Sequence, residues 1–385
     1  MKIAAHHQTL ARHLETFRQT LHQHPELSNE EYETTARLRA ALEEHDIRVL
    51  DLPLKTGLVA EIGGQQEGPL IALRSDIDAL PIVEEADVPW KSLNTGVMHA
   101  CGHDFHASAA LGAAILLKAI EPQIKGRVRI LFQPAEEVAK GAIDVLNSGA
   151  LEGVQAIFGI HNDPTLPVGV LGTKAGALTA GVDRFGITIT AKGSHAARPQ
   201  AGNDPIIILG QLISIVQGIV SRRVAPNDSA VVSITHVESG STWNVIPDTA
   251  TLEGTVRTFS AETRALIEAE LRRILDGLAH TYNAKLALDW QPGPPSVDNT
   301  AEWADVALEV GEREGFEARR VDASPIGEDF ALYQQTIPGV FVMIGSGGPH
   351  ALHHPAFRVD DRALFPTAHY LHTLALAALD RLAST

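Results

Sequence analysis

The segment HACGHDFHASAALGAAILLK, residues 99–118, joins a loop rich in reactive side chains to an apolar stretch that predicts a buried helix. It contains the single cysteine of the 385-residue chain, Cys101, two positions before His103. One cysteine cannot form a disulfide within the chain, so packing, metal ligation and nucleophilic attack are its possible uses. Residues spaced in this way point to the same side only in extended backbone. We therefore expect Cys101 and His103 on the loop before the helix, where both can reach one ion.

Strands and helices alternate around this segment, and reactive side chains follow the strands. Predicted strands cover 70–76, 128–132 and 156–161, and predicted helices cover 102–118 and 143–151. The strands lead into Asp76, into the pair Glu136-Glu137, and into His161. Because open α/β sheets bind ligands beyond the carboxyl ends of their strands, the sequence predicts an α/β fold with a site at that edge.

The pair Glu136-Glu137 suits hydrolytic chemistry. Adjacent residues in extended backbone project to opposite sides, so one carboxylate can bind metal while the other faces the attacking water. An adjacent pair of glutamates is more often a solvated surface feature, but this one follows an apolar strand and Pro134. Ligands of the Cys, His and Glu types favour Zn or Mn/Co-class ions over Ca or Mg. Three histidines in the tail are further candidates, and spacing does not choose among His350, His353 and His354.

A second unit is predicted between residues 183 and 293. Its element order, β-α-β-β-α-β, is that of a ferredoxin-like α+β domain. The first helix of this unit is predicted from Pro205 to about Arg222, with Asp204 as its N-cap. It would interrupt a discontinuous catalytic domain formed by residues 1–182 and 294–385. His195, Asn244 and Arg257 lie in this insertion and could form an anion and oxyanion subsite, although a turn asparagine and an exposed arginine are also common without such a role.

Composition excludes several classes of partner. The net charge is −16, with 44% hydrophobic and 20% charged residues, which is typical of a soluble globular protein. Such an acidic surface repels nucleic acid and anionic lipid. The N-terminal residues lack the apolar core of a signal peptide, and no apolar run reaches the roughly 20 residues of a spanning helix. We therefore expect a cytoplasmic protein without nucleic-acid or membrane partners.

A series of motifs in order gives the chain a family resemblance. The motifs are Leu21-His22-Gln23-His24-Pro25-Glu26-Leu27, Arg74-Ser75-Asp76-Ile77-Asp78-Ala79-Leu80-Pro81, residues 98–106, Phe132-Gln133-Pro134-Ala135-Glu136-Glu137, Gly159-Ile160-His161, Asn244-Val245-Ile246-Pro247 and Leu352-His353-His354-Pro355-Ala356-Phe357. With them the chain resembles the dinuclear-metal amidohydrolases of the aminoacylase/carboxypeptidase metallopeptidase family. More narrowly, it is similar to the branch of hippurate hydrolases and indole-acetyl-amino-acid hydrolases, over nearly its whole length.

The resemblance implies a zinc-peptidase-like catalytic domain with a central mixed sheet and an inserted lid that commonly dimerises. It implies two divalent metal ions, Mn2+ or Zn2+ with Co2+ or Ni2+ also compatible, and the ligands Cys101, His103, Glu137, His161 and His353. Glu136 would be the general base and acid. His195, from a partner subunit in a homodimer, would polarise the scissile carbonyl, while Asn244 and Arg257 would hold the substrate. The implied reaction is hydrolysis of N-acetyl, N-benzoyl or indole-acetyl amino acids.

Some residues depart from the family pattern, and other functions remain open. Arg74 and Cys101 replace a metal-binding His and an Asp of related branches, and both mark the amidohydrolase branch. Phe105 stands where glycine is usual and could narrow the pocket or shift the helix start. Val138-Ala139-Lys140 stands where a glycine-rich run is usual, which affects the expected substrate preference more than the chemistry. Alternatives are a dipeptidase or carboxypeptidase, a thiol hydrolase with Cys101 as nucleophile, and a non-catalytic metal-binding protein.

Overall fold

The computed structural model describes residues 7–384, which divide into two compact units. The first comprises the described residues up to Leu178, Asp298–Asp322 and the described residues from Asp329 onward. The second comprises Thr179–Val297 and Ala323–Glu328. The expected boundaries at 182/183 and 293/294 differ from these by four residues each, and the expected division did not separate Ala323–Glu328 from the larger domain.

Helices and strands alternate along most of the described chain. The helices are α1 Gln8–Gln23, α2 Tyr32–Glu44, α3 His103–Ala119, α4 Gly141–Asn147, α5 Pro205–Arg222, α6 Ala261–Tyr282, α7 Ala301–Arg313, α8 Ala331–Gln334 and α9 Leu364–Ala383. The strands are β1 Arg48–Val49, β2 Leu58–Gly63, β3 Gln66–Asp76, β4 Lys125–Gln133, β5 Ala156–Asp163, β6 Val170–Thr173, β7 Gly176–Ala177, β8 Gly181–Thr190, β9 Ser194–His195, β10 Ala230–Ser239, β11 Val245–Ile246, β12 Thr249–Thr258, β13 Lys285–Pro292, β14 Asp298–Asn299, β15 Glu317–Arg320 and β16 Gly339–Gly345.

The first unit is built on an eight-stranded mixed sheet in the order β1-β2-β4-β3-β5-β16-β6-β15. Its central strands β4, β3, β5 and β16 run parallel to one another, whereas β2 pairs with β4 in the antiparallel sense. Strands β5 and β16 are buried almost throughout, and β3 and β4 are buried towards their carboxyl ends, as expected where a parallel sheet is covered on both faces. The predicted α/β class is therefore confirmed.

The segment 103–119 forms the central helix of this unit. Thirteen of the 17 residues of α3 are buried, because α1 and α9 both pack on it. The packing is close at Gly112, where an added Cβ would lie 2.6 Å from Cδ1 of Leu14 and 2.7 Å from Cβ of Ala368. Phe105 is buried in this core, with its ring against His106. The helix begins at His103, so Phe105 has not displaced its start. The expectation that Cys101 and His103 both lie on the loop before the helix holds for Cys101 but is wrong for His103, which is the first residue of α3.

The parallel strands bring the reactive loops to one edge of the sheet. Asp76 at the end of β3 lies in register with Gln133 at the end of β4, and β5 lies on the other side of β3. The loops after β3 and β4 carry Asp78 and the pair Glu136-Glu137, respectively. The register therefore explains why residues about 60 positions apart meet at one site.

The second unit contains a four-stranded antiparallel sheet in the order β10-β12-β8-β13, with α5 and α6 packed on it. Helix α5 has the bounds that the sequence predicts, because Pro205 suits the first turn and Asp204 caps it by accepting the backbone N–H of Ile206 at 2.8 Å. By length and composition α5 resembles a membrane-spanning helix. Its buried residues, however, belong to the core of this unit.

Two local predictions were wrong. The sequence Ser28-Asn29-Glu30-Glu31 offers capping chemistry for the helix through Leu38 to Leu42, but in the structure it does not cap α2. Instead, the Glu26 carboxylate accepts the backbone N–H groups of Glu33 and Thr34, at 3.1 and 2.7 Å. Strand β2, which is buried beside β4, was not predicted. The start of α2 is thus capped by a residue that precedes the predicted segment, and β2 depends on its pairing with the later strand β4.

Candidate functional site

The loop before α3 is locked in a conformation that only glycine accepts readily. Gly102 has φ +86°, and an added Cβ would lie 2.4 Å from Nδ2 of Asn162. That Nδ2 donates a hydrogen bond to the carbonyl oxygen of Cys101 at 2.5 Å. With the loop held in this way, Sγ of Cys101 lies 3.4 Å from Nε2 of His161. Cys101 and His161 therefore meet at the predicted edge of the sheet.

Two histidines approach the cluster from strand β5 and from the tail. Nδ1 of His161 faces the carbonyl oxygen of Asn162 at 2.7 Å, which leaves Nε2 as the ligating atom. The backbone N–H of His353 donates to the carbonyl oxygen of Ala100 at 2.8 Å, and its Nε2 lies 3.5 Å from Oε1 of Glu137. His350 and His354 instead stack on each other with ring centroids 4.2 Å apart. Of the three tail histidines, His353 is therefore the one that faces the cluster.

Asp78, which is not among the residues predicted from the sequence, orients two of the predicted ligands. Its Oδ1 accepts a hydrogen bond from Nδ1 of His103 at 3.1 Å, and its Oδ2 accepts the backbone N–H of Glu137, also at 3.1 Å. A carboxylate on the far nitrogen of a ligating histidine is the usual second partner at metal sites. The alternation of Asp76 and Asp78 after an apolar strand was the signal available in the sequence.

Two buried atoms in the cluster have no hydrogen-bond partner. Nε2 of His103 and Oε1 of Glu137 face each other at 3.9 Å, and both lack a partner. An unsatisfied buried polar atom costs about 1–3 kcal/mol unless something binds it. A nitrogen lone pair and a carboxylate oxygen that converge in this way fit a divalent cation.

Ligand atoms of the predicted residues form overlapping groups in which all atoms lie within 4.8 Å of one another. One group is Cys101, His103 and His161, and another is Cys101, Glu137 and His353. A third consists of His103, Glu136 and Glu137. The first unit thus brings together Glu136 and all five predicted ligands, with Cys101 common to the first two groups. Sulfur, nitrogen and oxygen donors together suit Zn- or Mn-class ions.

The electrostatics of the cluster also favour a cation. Burial, and then the charge of Glu137, raise the pKa of the Cys101 thiol well above its usual value, although His103 opposes them. A nucleophilic cysteine needs a lowered pKa, so the thiol requires a bound cation to ionise at neutral pH. Burial would lower the pKa of His103, but Asp76 and Cys101 outweigh it and raise that pKa.

The strand ends are braced by a buried network. The Arg74 guanidinium bonds Oδ2 of Asp76 at 2.7 Å, and Oδ1 of Asp76 accepts from Nδ1 of His106 at 2.6 Å. Nε2 of His106 accepts the backbone N–H of Asn162 at 2.8 Å. Both nitrogens of His106 are therefore used, which gives it a structural role rather than a ligand role.

Glu31 is a further site residue that the sequence did not reveal. Its carboxylate accepts the backbone N–H of Ala135 at 2.8 Å and the hydroxyl of Thr56 at 2.7 Å. Ala135 precedes Glu136 and has φ +51°, so this bond holds an unfavourable backbone conformation. No sequence pattern links Glu31 to a loop about 100 residues later.

In the second unit, His195 and Asn244 lie on neighbouring segments. His195 pairs with Val245 between β9 and β11, and the backbone N–H of Ala196 donates to the carbonyl oxygen of Asn244 at 3.1 Å. Nδ1 of His195 accepts the backbone N–H of Ala197 at 3.0 Å, so a neutral ring carries its hydrogen on Nε2. That hydrogen could be donated to a substrate oxygen.

Arg257 lies at the other end of the four-stranded sheet. It is in register with Val182, whereas β9 follows the opposite end of β8 at Thr190. The eight residue-to-residue steps from Val182 to Thr190 span about 26 Å at about 3.3 Å per step. The expected single subsite of His195, Asn244 and Arg257 is therefore not formed within one copy of this unit.

Residues 72–377 match the family described as Peptidase family M20/M25/M40. An N-acetylcysteine deacetylase of Bacillus subtilis (strain 168) is 50% identical over 364 residues, which cover 94% of this chain and 96% of the relative. An IAA-amino acid hydrolase ILR1-like 2 of Arabidopsis thaliana is 38% identical over 358 residues, covering 90% and 81%. A solved Bacillus subtilis structure, described as a dinuclear metal binding peptidase from the M20 family, has a TM-score of 0.89 at 47% identity and covers 97% of this chain and 99% of its own. The chain therefore belongs to peptidase family M20/M25/M40.

Proposed function

We propose that this metal-dependent amidohydrolase cleaves the amide bond of N-acyl amino acids and releases a carboxylic acid and a free amino acid. The observation that carries the proposal is the pair of ligand groups that share Cys101, with Glu136 beside them. Amide hydrolysis needs a Lewis acid at the carbonyl and a base for the attacking water. Family members named for N-acetylcysteine and for IAA-amino acids support N-acyl amino acids as the substrate class.

In this proposal two divalent ions are held by the ligands Cys101, His103, Glu137, His161 and His353. Cys101 belongs to both ligand groups, so its thiolate would help to hold metal in either of them. The mixed donor set supports Mn2+ or Zn2+, and Co2+ or Ni2+ are also compatible with it. When bound, such ions polarise a carbonyl group and make water a stronger acid.

Glu136 is the proposed general base and acid. Glu137 directs Oε1 towards His103 and His353, whereas Oε1 of Glu136 accepts the backbone N–H of Asp329 at 3.4 Å. The two carboxylates therefore have different bonding partners, although both lie close to His103, and they can serve separate purposes. Glu136 takes a proton from water as the water oxygen bonds to the carbonyl carbon. It returns that proton to the amine nitrogen as the C–N bond breaks.

A homodimer formed through the second unit would complete the substrate site. Because about 26 Å separates the two ends of β8, one copy cannot present Arg257 and the pair His195 and Asn244 to the same small substrate. The proposed arrangement uses Arg257 of one subunit for the substrate carboxylate and the partner subunit's His195 for the carbonyl oxygen. Strand β10 is an edge strand, and the exposed apolar side chains on it and on α5 support this interface: Val231, Val237, Ile206, Ile207 and Ile215.

The test is a panel of N-acetyl, N-benzoyl and indole-acetyl amino acids, together with dipeptides, assayed for amine release. We expect activity on the N-acyl compounds and a loss of about 10²-fold or more in Glu136→Gln, with the metal content of the wild type. Near-full activity of that variant would refute the role of Glu136. Faster cleavage of dipeptides would favour the dipeptidase alternative.

Chelation separates the remaining alternatives. Removal of metal should abolish activity, and added Mn2+ or Zn2+ should restore it, whereas a thiol hydrolase would keep its activity. A non-catalytic metal-binding protein would bind the ions but release no amine from any compound in the panel.

A further inference from the structure

The segment from Gln133 to Ala142 carries Glu136 and Glu137 between the end of β4 and the start of α4. Two of its residues, Ala135 and Ala139, have positive φ values of 51° and 53°. Alanine disfavours this left-handed conformation, so the loop is in a shape that its own sequence does not prefer. Contacts from elsewhere in the fold must hold it.

Asp329 bonds both ends of this loop through its side chain. Its carboxylate oxygens accept from Nε2 of Gln133, the last residue of β4, at 3.0 and 2.9 Å. Its Oδ2 also accepts the backbone N–H of Ala142, in the first turn of α4, at 3.1 Å. Nη2 of Arg74 pairs with Oδ1 at 2.6 Å, and both partners of this ion pair are fully buried. One buried carboxylate therefore joins the strand before the loop to the helix after it.

The main chain of the same residue reaches the proposed base. The backbone N–H of Asp329 points at Oε1 of Glu136 at 3.4 Å. The side-chain bonds to Gln133 and Ala142 determine where this N–H lies relative to the loop. The position of the Glu136 carboxylate thus depends on Asp329 in two ways, through the loop backbone and through a direct hydrogen bond.

We propose that Asp329 is a positioning residue that holds Glu136 in place for proton transfer. The inference rests on the proposed function of Glu136 and assigns a part in that reaction to a residue about 190 positions away along the chain. A general base must lie within hydrogen-bond reach of the proton that it takes, and a displacement of about 1 Å can cost about 10²-fold in rate. Asp329 touches neither substrate nor ligand atoms in this role, so its loss should affect turnover more than substrate binding.

Glu61 offers a matched control. It is also a buried carboxylate of the first unit, and it pairs with Nε of Arg129, in the middle of β4, at 2.8 Å. Glu61→Gln removes a buried charge as Asp329→Asn does, but the ion-pair partners of Glu61, namely Arg48, Arg127 and Arg129, lie outside the loop that carries Glu136. A general loss of stability would affect both variants, whereas a loss of positioning would affect only one.

The experiment compares the metal-loaded wild type, Asp329→Asn and Glu61→Gln. For Asp329→Asn we expect kcat to fall by about 10–100-fold, with KM within about threefold and unchanged metal content. For Glu61→Gln we expect a lower melting temperature and kcat within about twofold of the wild type. A kcat of Asp329→Asn within about twofold would overturn the proposal, and so would a loss of metal that accounts for the lost rate.

A second readout does not depend on activity. Amide hydrogen exchange of residues 134–141 should be faster in Asp329→Asn than in the wild type and unchanged in Glu61→Gln. Unchanged exchange in Asp329→Asn would overturn the proposal even if no substrate of the wild type were found, so this failure is distinct from failure of the proposed function. If Asp329→Asn does not fold, Gln133→Met can be used instead, because it removes the side-chain donor that bonds Asp329 at one end of the loop. Hydrogen exchange and kcat equal to those of the wild type in Gln133→Met would also overturn the proposal.

Discussion

Replacement of Asp78 by asparagine tests whether the carboxylate network prepares the cluster for metal. Asp78 is buried and accepts three hydrogen bonds, from Nδ1 of His103 at 3.1 Å, from the backbone N–H of Glu137 at 3.1 Å and from the Ser28 hydroxyl at 2.7 Å. Burial would raise the pKa of Asp78, but the bond to His103 and the charge of His103 outweigh it and lower that pKa. The carboxylate is therefore ionised at neutral pH, and Asp78→Asn removes its negative charge.

The size of the effect follows from these contacts. Asparagine keeps one acceptor oxygen for His103, but it turns an NH2 group towards the N–H of Glu137, where two donors oppose each other. Loss of such an orienting partner typically weakens metal binding by about 10–100-fold. At about 1.4 kcal/mol per factor of ten, this corresponds to about 1.4–2.8 kcal/mol of binding free energy.

The assay is a titration of the metal-free protein with Zn2+ or Mn2+ in competition with a chelator of known affinity. Ser28→Ala is the control, because it removes one bond to Asp78 and leaves those from His103 and Glu137 intact. We expect Ser28→Ala to bind within about threefold of the wild type. If Asp78→Asn bound metal as tightly as this control, Asp78 would not orient the ligands and the reasoning would be wrong.

Three further predictions concern stability. Ala139→Gly should raise the free energy of unfolding by up to about 1 kcal/mol, because residue 139 has a φ of +53°, which glycine adopts more readily than alanine. Ala142→Gly, in α4, should lower the free energy of unfolding. Denaturant titrations that gave the opposite order of stability would contradict the backbone argument. Gly102→Ala should lower the free energy of unfolding by about 2–4 kcal/mol, because residue 102 has a φ of +86° and the added Cβ would displace Asn162. A melting temperature equal to that of the wild type would contradict this prediction. Burial would lower the pKa of His22, but Asp104 and Glu84 raise it to about 9, above the unfolded value of about 6.5. The stabilising contribution of protonated His22 is therefore complete below about pH 6.5 and is lost as the pH rises through about 9. Between pH 7 and 10 the melting temperature should fall less in His22→Gln than in the wild type. Parallel profiles of melting temperature against pH would refute this prediction.

The elements that sequence patterns predicted well are those specified by neighbouring residues. Helix α5 has its predicted bounds because the cap at Asp204 and the proline after it act within one turn. Strand β2 was missed because its place beside β4 depends on residues about 70 positions later. The departure from a glycine-rich run after Glu137 has a local consequence, since Ala139 still adopts the left-handed conformation that glycine would favour.

Chemistry and chain position were readable in the sequence, because metal-binding side chains follow apolar strands whose parallel pairing brings their ends to one edge. The pair Glu136-Glu137 and His161 were located in this way, Cys101 and His103 were identified by their spacing before a helix, and the family resemblance assigned Glu137 and His353 as ligands. The structure brings the ligand atoms of these residues together. The tertiary structure alone decided which residues support them. Asp78, Glu31 and Asp329 act through hydrogen bonds to groups that are distant in the chain, and such contacts leave no periodic pattern. It also decided that Arg257 lies far from His195, because strand register, rather than order along the chain, determines which ends of a sheet are neighbours.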